Sequence, residues 1–161
     1  MSGTLRRPTF LSMPSNTGHL LGGMTFAVGG VAAGYWSGFY QPDLVTAGLL
    51  VAVAIMAALF PDVDTDSHGQ RLYYSMLVAA DLLLIIFGQY RWAALLGLFA
   101  MFPAVGQHRG WTHTWWAMLV TPLPMLIVPS IFFGLSLRPL IPFYVAAVIG
   151  YFSHLALDRK F

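Results

Sequence analysis

The 161-residue chain is long enough for one compact domain, and its composition restricts what kind of domain that is. Apolar residues make up 58% and charged residues 9%, against about 45–50% and about 25% in soluble proteins. With a mean hydropathy of +0.71, such a chain cannot cover a water-facing surface, so a soluble domain and a disordered chain are excluded. The net charge of +2 says little about partners, because arginines in a membrane protein report topology and not nucleic-acid binding. The lack of cysteine excludes disulfides and thiolate sites.

Apolar runs of about 17–25 residues can cross a bilayer as helices. The sequence contains six candidates, which predict an all-α, polytopic membrane bundle: 19–36, 44–60, 72–88, 91–106, 115–134 and 138–157. Residues 1–18 are predicted to form a polar arm rather than a signal peptide, because a polar stretch separates Arg6 and Arg7 from the first apolar run. Residues 19–161 then form a single transmembrane domain.

The distribution of basic residues predicts the orientation of this bundle. With six spans and an inner N-terminus, six basic residues lie on the inner side and two on the outer side. The inner ones are Arg6, Arg7, Arg71, Arg109, Arg159 and Lys160, and the outer ones are Arg91 and Arg138. This asymmetry fits the positive-inside rule with both termini in the cytoplasm.

Four polar groups, separated in sequence, then fall on the same inner face of the membrane. His19 opens the first span, Pro61-Asp62-Val63-Asp64 closes the second, His108-Arg109-Gly110-Trp111-Thr112-His113 joins the fourth to the fifth, and His154 and Asp158 end the sixth. Ionisable groups at membrane depth are costly and tend to be functional. We therefore expect these groups to converge on one site.

The residue types in these groups are those that bind divalent metals. His154 and Asp158 are four residues apart and share a helix face. Asp62 and Asp64 project together if the chain is extended past the helix end. Imidazole and carboxylate ligands suit zinc, and also manganese, iron or nickel. Seven donors exceed what one zinc ion needs, so one or two ions are expected.

Each group also has a simpler interpretation. His19 suits a helix cap, an Asp-x-Asp sequence suits a solvated turn, and His154 with Asp158 suits an ordinary hydrogen bond at a helix end. His68 is predicted to be a solvated loop residue that binds no metal. Asp81 lies near the middle of the third span, where it is expected to be protonated or hydrogen-bonded and structural.

The ordered set of motifs resembles the bacterial inner-membrane metal-dependent hydrolases of the YdjM type, which are LexA-regulated membrane proteins. The residues that carry the resemblance are His19, Leu59-Phe60-Pro61-Asp62-Val63-Asp64 with Ser67, His108-Arg109-Gly110-Trp111-Thr112-His113-Thr114 and His154-Leu155-Ala156-Leu157-Asp158. The resemblance covers about residues 19–158. It implies a bacterial inner-membrane location, hydrolase activity, and a divalent-metal site with His19, Asp62, Asp64, His108, His113, His154 and Asp158 as ligands.

The predicted function is hydrolysis of a phosphate or acyl ester by a metal-activated water at the cytoplasmic interface. Membrane lipids are the expected partners, with a phospholipid or lipid-linked phosphate as the preferred substrate. Arg109 is expected to neutralise developing charge, and Asp64 to act as the base. Two alternatives stay open: a divalent-metal transporter or metal-sensing membrane protein, and a structural bundle that stabilises a partner complex.

Overall fold

A computed structural model describes residues 16–63, 68–105 and 111–158, with side chains for 21–63, 70–101 and 111–158. These residues form helices joined by short turns, and no β-strand occurs among them. The helices are α1 (Asn16–Trp36), α2 (Leu44–Leu59), a 3-10 turn (Phe60–Asp62), α3 (His68–Ile86), α4 (Tyr90–Val105), α5 (Trp115–Val120), α6 (Pro124–Phe133) and α7 (Ile141–Leu157). The all-helical fold class is therefore confirmed for the described part of the chain.

Each of the six predicted apolar segments coincides with a helix, if the adjoining α5 and α6 are taken as one segment. α1 begins three residues before its predicted start, and α3 begins at His68, which corrects the prediction of a loop there. Two 19-residue stretches, Leu44–Asp62 and Trp115–Phe133, are long and apolar enough to cross a membrane. Tyr90–Met101 and Ile141–Leu157 are shorter apolar helices.

α1, α2 and α7 pack against one another at close range, because glycines stand where the helices approach. A Cβ atom added at Gly150 of α7 would overlap the carbonyl oxygen of Ala54 in α2, and one added at Gly23 of α1 would lie 2.7 Å from the Cβ of Ala58. Small residues at such contacts let helix backbones pack closely in lipid, where no hydrophobic effect drives helices together. α3 and α4 form a second pair beside this group.

A buried apolar cluster of the described residues lies where α2 ends and α7 approaches its own end. Its aromatic members make close ring contacts, with centroids 6.1 Å apart for Phe60 and Tyr73 and 6.0 Å apart for Phe60 and Tyr151. The cluster comprises Leu59, Phe60, Val63, Tyr73, Leu77, Ala117, Tyr151 and Leu155. Leu59, Phe60 and Val63 flank Asp62 in sequence, and Tyr151 and Leu155 flank His154, so the cluster supports the ends of the elements that carry these two residues.

Prolines interrupt the predicted fifth span between α5 and α6. Pro122 has no N–H, and the N–H of Leu123 donates to Val120 rather than to Leu119, one residue further back. The Tyr144 hydroxyl of α7 donates to the Leu119 carbonyl instead, over 2.9 Å. A tyrosine of a neighbouring helix thus satisfies a backbone oxygen that the break releases.

Replacement of Tyr144 by phenylalanine should therefore lower the free energy of unfolding by about 1 kcal/mol, the usual contribution of one hydrogen bond. Thermal unfolding of the purified protein in detergent measures this change. Tyr90→Phe, at a tyrosine that is 67% exposed, is the matched control and should leave the midpoint unchanged. Equal midpoints for the two variants would contradict the assigned role of Tyr144.

Candidate metal centre

Asp62 is positioned by the way α2 ends. Pro61 is compatible with the first residues of a helical turn, and Phe60–Asp62 form a 3-10 turn that is followed by helical backbone at Val63. The extended chain that was the condition for Asp62 and Asp64 to project together is not found at Asp62, because the proline continues the helix as a tighter turn. The side chain of Asp62 is 26% exposed.

His113 enters the site just ahead of α5. Thr114 caps this helix, with a side-chain oxygen that accepts from the N–H of Ala117. Capping fixes where the helix begins and therefore how the preceding residues are directed. The His113 side chain is 18% exposed.

His154 and Asp158 come from the last turn of α7. Asp158 is the C-terminal cap, and its backbone N–H donates to the His154 carbonyl over 3.0 Å, so the two side chains leave the same helix face. His154 is fully buried, whereas the Asp158 side chain is 17% exposed.

These four side chains converge on one point. The Nε2 atom of His113 lies 3.5 Å from Oδ1 of Asp62 and 3.5 Å from Oδ2 of Asp158. The Nε2 atom of His154 lies 3.6 Å and 3.5 Å from the same two oxygens. One ligand atom each from Asp62, His113 and His154 lies within 4.8 Å of the others. The two imidazole rings are 5.4 Å apart between centroids.

The four nitrogen–oxygen separations fit a small tetrahedral cation. Donors that each lie about 2.1 Å from a zinc ion at the centre of a tetrahedron are about 3.4 Å apart. The separations of 3.5–3.6 Å are close to this edge and longer than direct hydrogen bonds between nitrogen and oxygen. A divalent ion would also balance the two carboxylates, which reduces the cost of holding them away from bulk water. Asp62, His113 and His154, with Asp158, could therefore hold a metal ion.

Both imidazoles are oriented as metal ligands. The Nδ1 of His154 lies 2.8 Å from the carbonyl oxygen of Ala58, which can only accept, so Nδ1 carries a proton and Nε2, which faces the carboxylates, is the nitrogen that would bind a metal. The Nδ1 of His113 lies 3.2 Å from the Thr112 hydroxyl. Metal-binding histidines generally donate their second ring N–H in this way.

Three of the predicted ligands and both predicted catalytic residues, with Asp64 in both groups, cannot be placed beside these four. Asp64, His108 and Arg109 lie outside the described residues, as does the side chain of His19, whose backbone lies in the first turn of α1. The side chain of His68 also lies outside the described set. Asp81 lies within α3, where its Oδ1 is buried and has no hydrogen-bond partner among the described residues.

The groups that orient the ligands were not predicted from the sequence. Three residues contact the ligand residues or their neighbours: Ala58, Thr112 and Tyr151. The Tyr151 hydroxyl donates a hydrogen bond of 2.6 Å to the Thr112 carbonyl. The sequence contains one clue to these groups, which is that Thr112 directly precedes His113 in the loop between the predicted fourth and fifth spans. Nothing in the sequence alone connects Ala58 with His154, since 96 residues separate them.

A family model described as YdjM inner membrane protein matches residues 13–159, which is most of the chain. The chain belongs to the YdjM inner membrane protein family. The predicted family resemblance is thereby confirmed, and the match includes all of the motifs that suggested it. No curated protein and no solved structure gives a significant match. Membership in YdjM places the chain in an inner-membrane family.

Proposed function

We propose that the protein is a membrane-embedded, metal-dependent hydrolase that cleaves a phosphate or acyl ester of a lipid or another amphiphilic substrate. The observation that supports it is the set of two imidazole nitrogens and two carboxylate oxygens separated by 3.5–3.6 Å. Zinc is the proposed metal, because these neutral nitrogens and charged oxygens form a donor set without thiolates that suits it. His19, Asp64 and His108 are the proposed further donors, to the same ion or to a second one.

Asp62, His113, His154 and Asp158 would hold the zinc ion, which would supply Lewis-acid chemistry for hydrolysis at near-neutral pH. Among the protein's own groups, Asp64 is the proposed base, since it follows Asp62 by two residues. Arg109 precedes His113 by four residues and is proposed to hold the anionic oxygens of the substrate. His154 is fully buried whereas Asp62 is 26% exposed, so the substrate is proposed to approach from the side of Asp62.

The proposed topology has six spans with both termini in the cytoplasm, on the basis of six inner and two outer basic residues. Asp62, His113, His154 and Asp158 all lie at helix ends rather than in the middle of a span. In this topology the site lies at headgroup depth on the cytoplasmic side. An ester of a lipid could reach it while the acyl chains stay in the bilayer, which favours a phospholipid or a lipid-linked phosphate.

A lipid-hydrolysis screen tests this function. Zinc-loaded protein in vesicles that contain phospholipids and lipid phosphates should release a cleaved product, detected by mass spectrometry. Asp62→Asn and His113→Ala should abolish the release. Arg109→Ala should lower turnover by about 100-fold or more while zinc content stays the same, because its proposed partner is the substrate. Arg138→Ala, at an arginine predicted on the opposite side, is the matched control and should retain activity.

The transporter alternative makes the opposite predictions in the same vesicles. A transporter needs ligands near the middle of the membrane with access from both sides, and Asp81 is the acidic residue placed for that role. Metal flux that depends on Asp81 and on the four clustered residues, without cleavage of any lipid offered, would overturn the hydrolase proposal.

A further inference from the structure

Thr112 makes three contacts at the metal centre while remaining 6% exposed. Its hydroxyl oxygen lies 3.4 Å from the Pro61 carbonyl and 3.2 Å from Nδ1 of His113. Its carbonyl accepts a hydrogen bond of 2.6 Å from the Tyr151 hydroxyl, and Tyr151 is itself 1% exposed. We infer that Thr112 and Tyr151 are positioning residues that set the metal affinity of the site. This inference rests on the metal centre of the proposed function, and not on the identity of the substrate.

The direction of these hydrogen bonds follows from what each group can do. A carbonyl oxygen only accepts, so the single hydroxyl proton of Thr112 goes to Pro61. The same hydroxyl oxygen must then accept from His113, which places the imidazole proton on Nδ1. The lone pair of Nε2 is thereby fixed on the side of the carboxylates. Without the hydroxyl, neither this tautomer nor this ring orientation is enforced.

Thr112 also links His113 to a second ligand. Pro61 immediately precedes Asp62, so the hydroxyl bridges the backbone that carries one ligand to the ring of another. If a hydrogen bond of the Thr112 hydroxyl is lengthened or lost, both metal ligands, Asp62 and His113, are affected at once. Threonine is suited to this position because its hydroxyl can donate one hydrogen bond and accept another.

Tyr151 connects the same residue to the third ligand-bearing element. It lies three residues before His154 on α7, and its ring belongs to the buried apolar cluster. The tyrosine therefore fixes the Thr112 peptide relative to the helix that supplies His154 and Asp158. His154 is held independently through Ala58 on α2. Loss of Tyr151 should consequently loosen His113 relative to a fixed His154.

The test measures affinity for zinc and for cobalt(II), with a competing chelator, on the full-length protein in detergent. Thr112→Val keeps the shape and removes the hydroxyl, and it should weaken zinc binding by about 10–100-fold, the usual effect of losing such an outer hydrogen bond. Thr112→Ser restores the hydroxyl and should bind about as tightly as the wild type. Tyr151→Phe should weaken binding in the same direction as Thr112→Val.

Matched controls separate positioning from general destabilisation. Tyr144→Phe removes a tyrosine hydroxyl from the same helix, and Thr46→Val removes a threonine hydroxyl that bonds to Asp43 at the far end of α2. Both should leave zinc affinity unchanged even if they lower the thermal midpoint. The visible spectrum of bound cobalt(II) should change in Thr112→Val and stay the same in both controls, because it reports the geometry of the donors.

The outcomes are distinguishable from those of the hydrolase test. Wild-type affinity in both Thr112→Val and Tyr151→Phe, or the same loss in Thr112→Ser as in Thr112→Val, would overturn the positioning role while leaving the metal centre in place. A wild-type protein that binds neither metal would overturn the centre itself. A zinc-binding protein that cleaves no lipid would overturn the substrate proposal alone.

Discussion

Asp62→Asn should lower the affinity for zinc by more than about 100-fold, beyond the effect expected for any outer hydrogen bond. The substitution keeps the size of the side chain but removes the charge that pairs with a divalent cation. Asp62 is the most exposed of the four clustered residues, at 26%, so the fold should survive the change. Metal analysis of protein purified without added metal, followed by zinc titration, measures the effect.

Two aspartates provide matched controls for this experiment. Asp43 caps α2 far from the site, where hydrogen bonds from the Thr46 side chain and backbone hold the pKa of its carboxyl below the ordinary value. Asp81 lies within α3. Asp43→Asn and Asp81→Asn should both retain wild-type metal content. Equal content in Asp62→Asn and in these two variants would remove the basis for the centre.

Chelation provides a second measurement of the same prediction. An ion that joins the end of α2, the start of α5 and the end of α7 binds only the folded protein and therefore stabilises it, by about 2.7 kcal/mol when zinc is present at 100 times its dissociation constant. A chelator should lower the thermal midpoint of the wild type and leave that of Asp62→Asn unmoved. An equal shift in both proteins would show that the ion, if bound, is not held by Asp62.

The helices could be predicted from the sequence because a long run of apolar residues is a direct signal of a membrane helix. The six predicted segments coincide with helices, if the adjoining α5 and α6 are taken as one segment. The convergence of Asp62, His113, His154 and Asp158 could also be predicted, since positive charges orient a chain whose helix ends are already located. Both inferences use information that is local in sequence.

The features that sequence did not reveal depend on contacts between distant segments. The tautomer of His154 is set by the carbonyl of Ala58. In the sequence, nothing distinguishes Ala58 from the other apolar residues of α2. The bonds from Thr112 to Pro61 and from Tyr151 to Thr112 join three elements that only the packed structure brings together. The 3-10 turn at Phe60–Asp62 was missed because an Asp after a proline suits an extended turn equally well.

Gly150→Ala should destabilise the protein, because the added Cβ would meet backbone rather than a movable side chain. Besides overlapping the Ala54 carbonyl oxygen, it would lie 2.7 Å from the carbonyl carbon and 2.8 Å from the Cα of that residue. Backbone in the middle of a helix cannot rotate away, so α2 and α7 would have to separate. Overpacking of this kind costs about 1–3 kcal/mol.

The same separation should also weaken the metal centre. Gly150 lies four residues before His154 on α7, and Ala54 lies four residues before Ala58 on α2, so the spread helices would stretch the bond between His154 and Ala58. Gly150→Ala should therefore lower both the thermal midpoint in detergent and the affinity for zinc. Gly48→Ala is the matched control, since its Cβ would enter open space on α2. That change should be neutral, or stabilising by about 0.5–1 kcal/mol through the better helix propensity of alanine. Equal midpoints for Gly150→Ala and Gly48→Ala would show that α2 and α7 do not approach at Gly150, and would remove the packing that brings His154 to Ala58.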